Sequence, residues 1–291
     1  MITYPNVKVN IGLNVLRRRP DGFHDIASLF VPYFGMSDVL EIVPAEEFSI
    51  RIFSSKPGIP DWDPNSDLCA KAWRLLRDRY GIPPVAISLE KRNPVGAGLG
   101  GGSSDAAFTL KMLNEMFAIG LGEEQLVSLA ATLGSDCPFF IFNRPMFAEG
   151  RGEKLTPFPL DSIDFGESAQ EGVPSQGIPQ RAAARQCTKE SSQFALKPYK
   201  LRVIALDEHL SISTGRAYSL ITPGVPETPL CEALKAPIEE WKDLIHNDFQ
   251  KVIASAHPIV EQTVASCYAS PRCIYAAMSG SGPSVFTIEK A

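Results

Sequence analysis

Five of the seven residues from Gly96 to Gly102 are glycine, within the run Pro94, Val95, Gly96, Ala97, Gly98, Leu99, Gly100, Gly101, Gly102, Ser103, Ser104. Glycine reaches positive φ without strain and lets the backbone approach a ligand with no Cβ in the way. Ala106, Leu110, Leu113 and Phe117 follow at helical spacing and predict a helix over 105–117. The run therefore feeds a helix N-terminus, where unpaired N–H groups and the dipole suit phosphate oxygens. Ser103 and Ser104 add hydroxyls, and Ser104 is the candidate ligand for Mg²⁺. On pattern alone the run also reads as a flexible Gly–Ser loop whose Ser104 or Asp105 caps the helix. Two other phosphate loops are excluded. No Lys-Ser/Thr pair follows the glycines, and no βαβ unit opens before them.

The remaining candidates are scattered. Val7, Val9, Ile11, Leu13 and Val15 alternate with Lys8, Asn10, Gly12 and Asn14, which predicts a half-buried strand. Its polar face would carry Lys8 and Asn10, as a site or as an ordinary solvated face. Asp136 lies in Ser135-Asp136-Cys137-Pro138, expected to be a tight passage from a helix into a strand at 139–142. Such a passage holds a carboxylate rigidly, though a turn aspartate often bonds only its own backbone. Phe23 and His24 follow the turn-like Pro20-Asp21-Gly22, and a lone histidine is commonly a surface or satisfied core residue. Gly280 and Gly282 make a second glycine turn before a short strand.

The elements that must position these residues come in irregular order. Strands are expected at 38–43, 48–53, 85–90 and 201–206, and helices at 67–80, 123–133, 214–220 and 238–256. Strands and helices mixed without regular alternation favour an α+β fold. At 291 residues the chain suits two ordinary domains. The stretch 166–192 is rich in Gln, Ser, Gly, Pro and Glu and is expected to be disordered. That divides the chain into 1–160, a low-complexity insertion or linker at 161–199, and 200–291.

A net charge of −5 with no dense Lys/Arg run argues against a nucleic-acid partner. The six cysteines make no Cys-x-x-Cys pair and no zinc spacing, so separate thiols in a reducing compartment are expected. Neither a signal peptide nor a long apolar span is visible, which points to the cytoplasm.

Pro94–Ala107 resembles the second signature of the galactokinase, homoserine kinase, mevalonate kinase and phosphomevalonate kinase superfamily. Within it, the triple glycine and Ser103-Ser104-Asp105-Ala106-Ala107 are similar to the kinases of 4-diphosphocytidyl-2-C-methyl-D-erythritol. Lys8-Val9-Asn10, the segments 19–24, 133–140 and 148–153, and the segment 278–286 agree with that family in its order. The resemblance implies a two-domain α+β fold with the site between the domains. It implies ATP as co-substrate with Mg²⁺, and transfer of the γ-phosphate to the 2-hydroxyl of a CDP-linked alcohol, a step of the non-mevalonate route to isoprenoid precursors.

Under that resemblance the nucleotide is held by residues 94–104, Asp136 is the general base and Lys8 faces it. Asn10 orients the substrate, His24 reads the cytosine, and Phe23 stacks on it where the family usually has Tyr. Thr214 and Tyr218, within Ser211–Tyr218, supply a substrate contact and a second stacking ring. The second glycine turn closes over the phosphates. The partner is then a small molecule, with neither nucleic acid nor membrane, and the chain a monomer or weak homodimer. A sister kinase acting on mevalonate or homoserine would not need the pyrimidine-reading pair. A nucleotide-binding regulator without catalysis would not need Lys8 and Asp136.

Overall fold

The computed structural model describes residues 1–54, 63–166, 197–206 and 213–291. The chain begins with β1 (Ile2–Thr3), β2 (Asn6–Arg18), β3 (His24–Ser37), β4 (Val39–Pro44) and β5 (Ser49–Phe53). Then come α1 (Leu68–Tyr80), β6 (Val85–Glu90), α2 (Gly101–Met116), α3 (Glu123–Leu133) and α4 (Cys137–Phe142). β7 (Met146–Gly150), β8 (Lys154–Pro157), β9 (Ile163–Asp164) and β10 (Tyr199–Ile204) follow. The last part holds α5 (Thr214–Ser219), α6 (Leu230–Ala233), α7 (Trp241–Leu244), α8 (Asp248–Ala256), α9 (Ile259–Tyr268), β11 (Cys273–Met278) and β12 (Val285–Lys290). The strands form three four-stranded sheets, ordered β1-β4-β6-β5, β2-β3-β7-β8 and β11-β12-β10-β9. This is the expected α+β class.

The sheet β2-β3-β7-β8 lies between two cores. Val7, Val9 and Ile11 of β2, with Ala27, Leu29 and Val31 of β3, pack with Leu201, Trp241, Tyr275 and Phe286 of the C-terminal part. The opposite face gives Ile26, Phe30, Met146 and Ala148 to a core shared with α1, α2, α3 and α4. β3 was not expected. Residues 26–32 are buried without a break, and a strand covered on both faces loses the alternation that marks a half-exposed one.

β2 departs from the strict alternation read from its sequence. The register against β3 shifts between Ile11 and Leu13, and Gly12 between them has φ +68°. A β-bulge of this kind adds one residue to one strand and exchanges its faces beyond that point. Leu13 and Val15 therefore join the helix-side core, while Ile11 stays on the other. A side chain at Gly12 would meet Ile245 and Leu230 at 2.7 Å. Lys8 and Asn10, before the bulge, face the helix side and the cleft.

Two further expectations are corrected. Residues 139–142 belong to helix α4; Pro138 stands in its first turn, where a missing N–H costs nothing. The single helix expected over 238–256 is interrupted before α8. There the His246 carbonyl accepts from Leu13 N at 3.0 Å, and Asn247 caps α8 through Phe249 N at 2.9 Å. Pairing with β2 and a side-chain cap together override helical continuation. At the two ends of the expected insertion, Ile163–Asp164 pair in parallel with Tyr199–Lys200, so β9 forms the sheet edge beside β10. The insertion's interior, residues 167–196, lies outside the described residues, as does Ser211. Among the described residues five cysteines are unbridged, and no helix is long and apolar enough to cross a membrane.

Candidate active site

α2 begins at Gly101, within the glycine run and four residues before the expected start. Gly96, Gly98 and Gly100 all have φ between 70° and 75°, while Ala97 and Leu99 between them are buried in the C-terminal-side core. The loop is thus pinned by its apolar residues and turned by its glycines. Gly100 precedes the helix with no side-chain cap, so the first N–H groups of α2 have no intrahelical partner. Those donors and the dipole open onto a cleft of about 390 Å³.

The second glycine turn seats directly on the first. A Cβ at Gly98 would lie 2.5 Å from the Ser279 carbonyl oxygen, and one at Gly280 would lie 2.8 Å from the Gly98 oxygen. Ser279 Oγ accepts from Asn10 N at 3.2 Å and donates to the Gly98 carbonyl at 3.3 Å. Asn247 Nδ2 donates to the carbonyls of Met278 at 2.7 Å and Gly280 at 2.9 Å. Ser279 and Asn247 were not singled out in the sequence. Each is an ordinary polar residue, and the partners that give them a role are distant in the chain.

At the foot of the loop, the buried Lys8 ammonium donates to Asn10 Oδ1 at 2.7 Å and lies 3.3 Å from Asp136 Oδ2. It also sits 4.0 Å over the Phe30 ring. The backbone N–H of Lys8 donates to the Leu99 carbonyl at 2.9 Å, which joins strand and loop directly. Asp136 occupies the N-cap position of α4 yet makes no capping bond. Its side chain, 33% exposed, points its charge at Lys8 and the open cleft.

Asn10 also lines the cleft, but both ends of its carboxamide are engaged. Its oxygen accepts from Lys8, and its nitrogen donates to Ser28 Oγ at 3.0 Å, which in turn donates to the Gly12 carbonyl at 2.6 Å. Asn10 thus holds the Lys8 ammonium from within the cleft, where an orienting role toward substrate was expected. The bulge at Gly12 supplies the carbonyl that ends this relay.

Thr214 and Tyr218 line the same cleft, and Thr214 Oγ1 lies 3.2 Å from Ser281 Oγ of the second turn. The Tyr218 phenol is pushed up to about 12, first by burial and then by the Asp136 charge, so it stays a neutral donor at physiological pH. The aromatic arrangement differs from the expected sandwich. His24 itself stacks on Tyr218, with ring centroids 4.7 Å apart and planes 18° apart, and Phe249 meets Tyr218 edge-on at 4.9 Å. Phe23 is 52% exposed beneath the Arg151 guanidinium at 4.8 Å. A base laid on that face of Tyr218 must displace the His24 ring. Arg151 lines the cleft; it lay in the segment 148–153 quoted for the resemblance without a role assigned to it.

Ser104 was the expected metal ligand. Its side chain is fully buried with no hydrogen-bond partner and does not line the cleft, whereas Ser103 does. Starting the helix at Gly101 rotates Ser104 inward. Among the described residues no group of three His, Cys, Asp or Glu could hold a metal ion. Cys137, next to the key carboxylate, is pushed up to about 12 by burial first, so it is no nucleophile.

Residues 67–144 match the model of the GHMP kinases N terminal domain, and residues 231–290 match that of the GHMP kinases C terminal. The chain is 39% identical over 287 residues to the 4-diphosphocytidyl-2-C-methyl-D-erythritol kinase of Parabacteroides distasonis, covering 98% of this chain and 90% of that one. A crystal structure of 4-(cytidine 5'-diphospho)-2C-methyl-D-erythritol kinase is similar at a TM-score of 0.70 and 28% identity, covering 99% of this chain and 89% of that one. The Methanococcus jannaschii mevalonate kinase shares the fold, with a TM-score of 0.62 at 15% identity over 100% of this chain and 90% of its own.

Proposed function

The chain belongs to the 4-diphosphocytidyl-2-C-methyl-D-erythritol kinase family of GHMP kinases, and we propose from that membership how its cleft moves the γ-phosphate of ATP onto the substrate's 2-hydroxyl. The observation that carries the mechanism is the Lys8–Asp136 pair, 3.3 Å apart at the foot of the glycine loop.

Phosphoryl transfer asks the protein mainly for alignment and electrostatic support. The triphosphate lies along residues 94–103, with its oxygens on the free N–H groups that open α2. Mg²⁺ would come with the nucleotide, held by phosphate oxygens as is usual for this ion. The attacking hydroxyl sits against Asp136, which removes its proton as the oxygen bonds to the γ-phosphorus and the bond to the β-phosphate oxygen breaks. ADP leaves with the electron pair of that bond. Lys8, held in place by Asn10, lies beside the carboxylate and meets the charge that develops on the transferred group. Tyr218 and Phe23 offer aromatic faces for the cytosine, and His24 its ring nitrogens once displaced from Tyr218. Arg151 brings a cation to the same end of the cleft.

The test is ADP release in a coupled assay with three alcohols: the CDP-linked erythritol, mevalonate and homoserine. Turnover with the first alone is expected. Turnover with another would move the chain to a sister activity, and turnover with none would make it a nucleotide-binding regulator.

A further inference from the structure

The first glycine loop has its two ends tied to one buried ionic cluster, whose Lys91 and Asp105 border the same cleft. Lys91 follows β6 and is 5% exposed, Asp38 precedes β4 and is fully buried, and Asp105 lies in the second turn of α2 at 1% exposure. The Lys91 ammonium donates to Asp105 Oδ2 at 2.6 Å and makes a second, very short bond to Asp38 Oδ2. The other oxygen of Asp38 accepts from the backbone N–H groups of Arg92 at 2.6 Å and Asn93 at 2.8 Å. Asp38 thus grips the chain just before Pro94, and Asp105 anchors the helix that leaves the loop. A Cβ at Gly101 would lie 3.6 Å from Lys91 Nζ and 3.8 Å from Asp38 Oδ2, so the cluster sits under the helix N-terminus.

Burying two carboxylates with one ammonium costs desolvation that their attraction does not readily return. Stability is therefore a poor reason for the cluster, and its placement offers a better one. A loop with five glycines in seven residues has many conformations to lose before its N–H groups converge on a phosphate chain. Fixing both ends removes that loss in advance of binding. Burial acts to lower the Lys91 pKa, but the two carboxylates more than reverse it and keep the lysine charged, while burial first pushes the Asp105 carboxyl up and Lys91 draws it partly back.

We propose that Asp38, Lys91 and Asp105 are positioning residues that hold the glycine loop in its nucleotide-binding shape. The inference rests on the reading of this loop as the nucleotide site, and it concerns affinity for the nucleotide, leaving the alcohol and the proton transfer to other residues.

Asp105→Leu cuts the tie to α2 while Lys91 keeps Asp38, so no lone charge is left buried. ADP titration by calorimetry on this variant should show affinity about tenfold weaker, since a hydrogen bond to a charged group is lost. In turnover, the KM for ATP should rise in parallel, with the KM for the alcohol unchanged within about twofold, since no alcohol contact is altered. Asp105→Asn retains shape and an acceptor and should weaken ADP by only about threefold, which carries the test if the leucine variant does not fold. Unchanged ADP affinity in either folded variant would overturn the proposal. So would equal losses for both substrates and kcat that track a lowered melting temperature, the mark of a merely structural role. Wild-type chain that binds ADP but leaves the CDP-linked alcohol unphosphorylated would remove the substrate assignment and leave the brace to be judged by titration. Wild-type chain that binds no ADP would overturn both.

Discussion

The two ends of the cleft are built in opposite ways. At the nucleotide end, two glycine turns lock backbone to backbone, with carbonyl and amide partners fixed by Ser279, Asn247 and the ionic cluster. At the other end, where the proposed function places the cytosine, the cleft is walled by side chains: Tyr218, the His24 ring stacked on it, and the half-exposed Phe23 under Arg151. Phosphate oxygens look alike on every nucleotide, so a rigid row of N–H groups suffices for them. A pyrimidine has faces and edges, and rings that can slide or swing apart accommodate both. On the proposed function, the first end is organised before binding, and the second must rearrange for a base to reach Tyr218.

The contrast predicts substitutions of very different reach. Gly98→Ala should have the largest effect, because its Cβ would lie 2.5 Å from the Ser279 carbonyl oxygen and its φ of +75° is strained for any other residue. Neither backbone can yield without parting the two turns. We expect kcat/KM for ATP to fall by about a hundredfold or more, the scale of an ångström-sized misplacement, with the loss visible in ADP titration. Full activity in this variant would break the claim that the nucleotide end is rigid.

Tyr218→Ala should act more mildly and on the other substrate. One base–aromatic stack is worth about 1–3 kcal/mol, so the KM for the CDP-linked alcohol should rise by roughly 5- to 150-fold. Steady-state kinetics should show the KM for ATP nearly unchanged. A parallel rise in both constants would mean that the two ends are coupled and the contrast is false.

What could be read from the sequence follows the same division. The glycine run, the helix leaving it and the alternation that put Lys8 and Asn10 together are local patterns, and each was legible. α1 was equally plain, with Asp67 capping its start at 2.8 Å and Gly81 closing it at φ 66°. Features set by distant partners were not. Lys91 and Asp38 are 53 positions apart, and nothing in either neighbourhood announces the other. The bulge at Gly12 reversed the faces of β2 halfway along, a change that an alternating run of apolar residues does not disclose. Ser104 and Ser103 are equivalent as sequence, and only the point at which α2 starts decides which hydroxyl is buried. His24 was legible as a polar ring near a turn, yet its stacking on Tyr218 depends on a residue far down the chain.

The sharpest test concerns the couple that joins the two ends. Asp136→Asn keeps the shape of the side chain, and the carboxylate caps no backbone N–H that the change would free. ADP titration on this variant should give wild-type affinity, while single-turnover phosphorylation of the CDP-linked alcohol should slow by about 10²–10⁴-fold, the usual contribution of a general base. Transfer at close to the wild-type rate would show that another group takes the proton, and the account of Lys8 and Asp136 would fail.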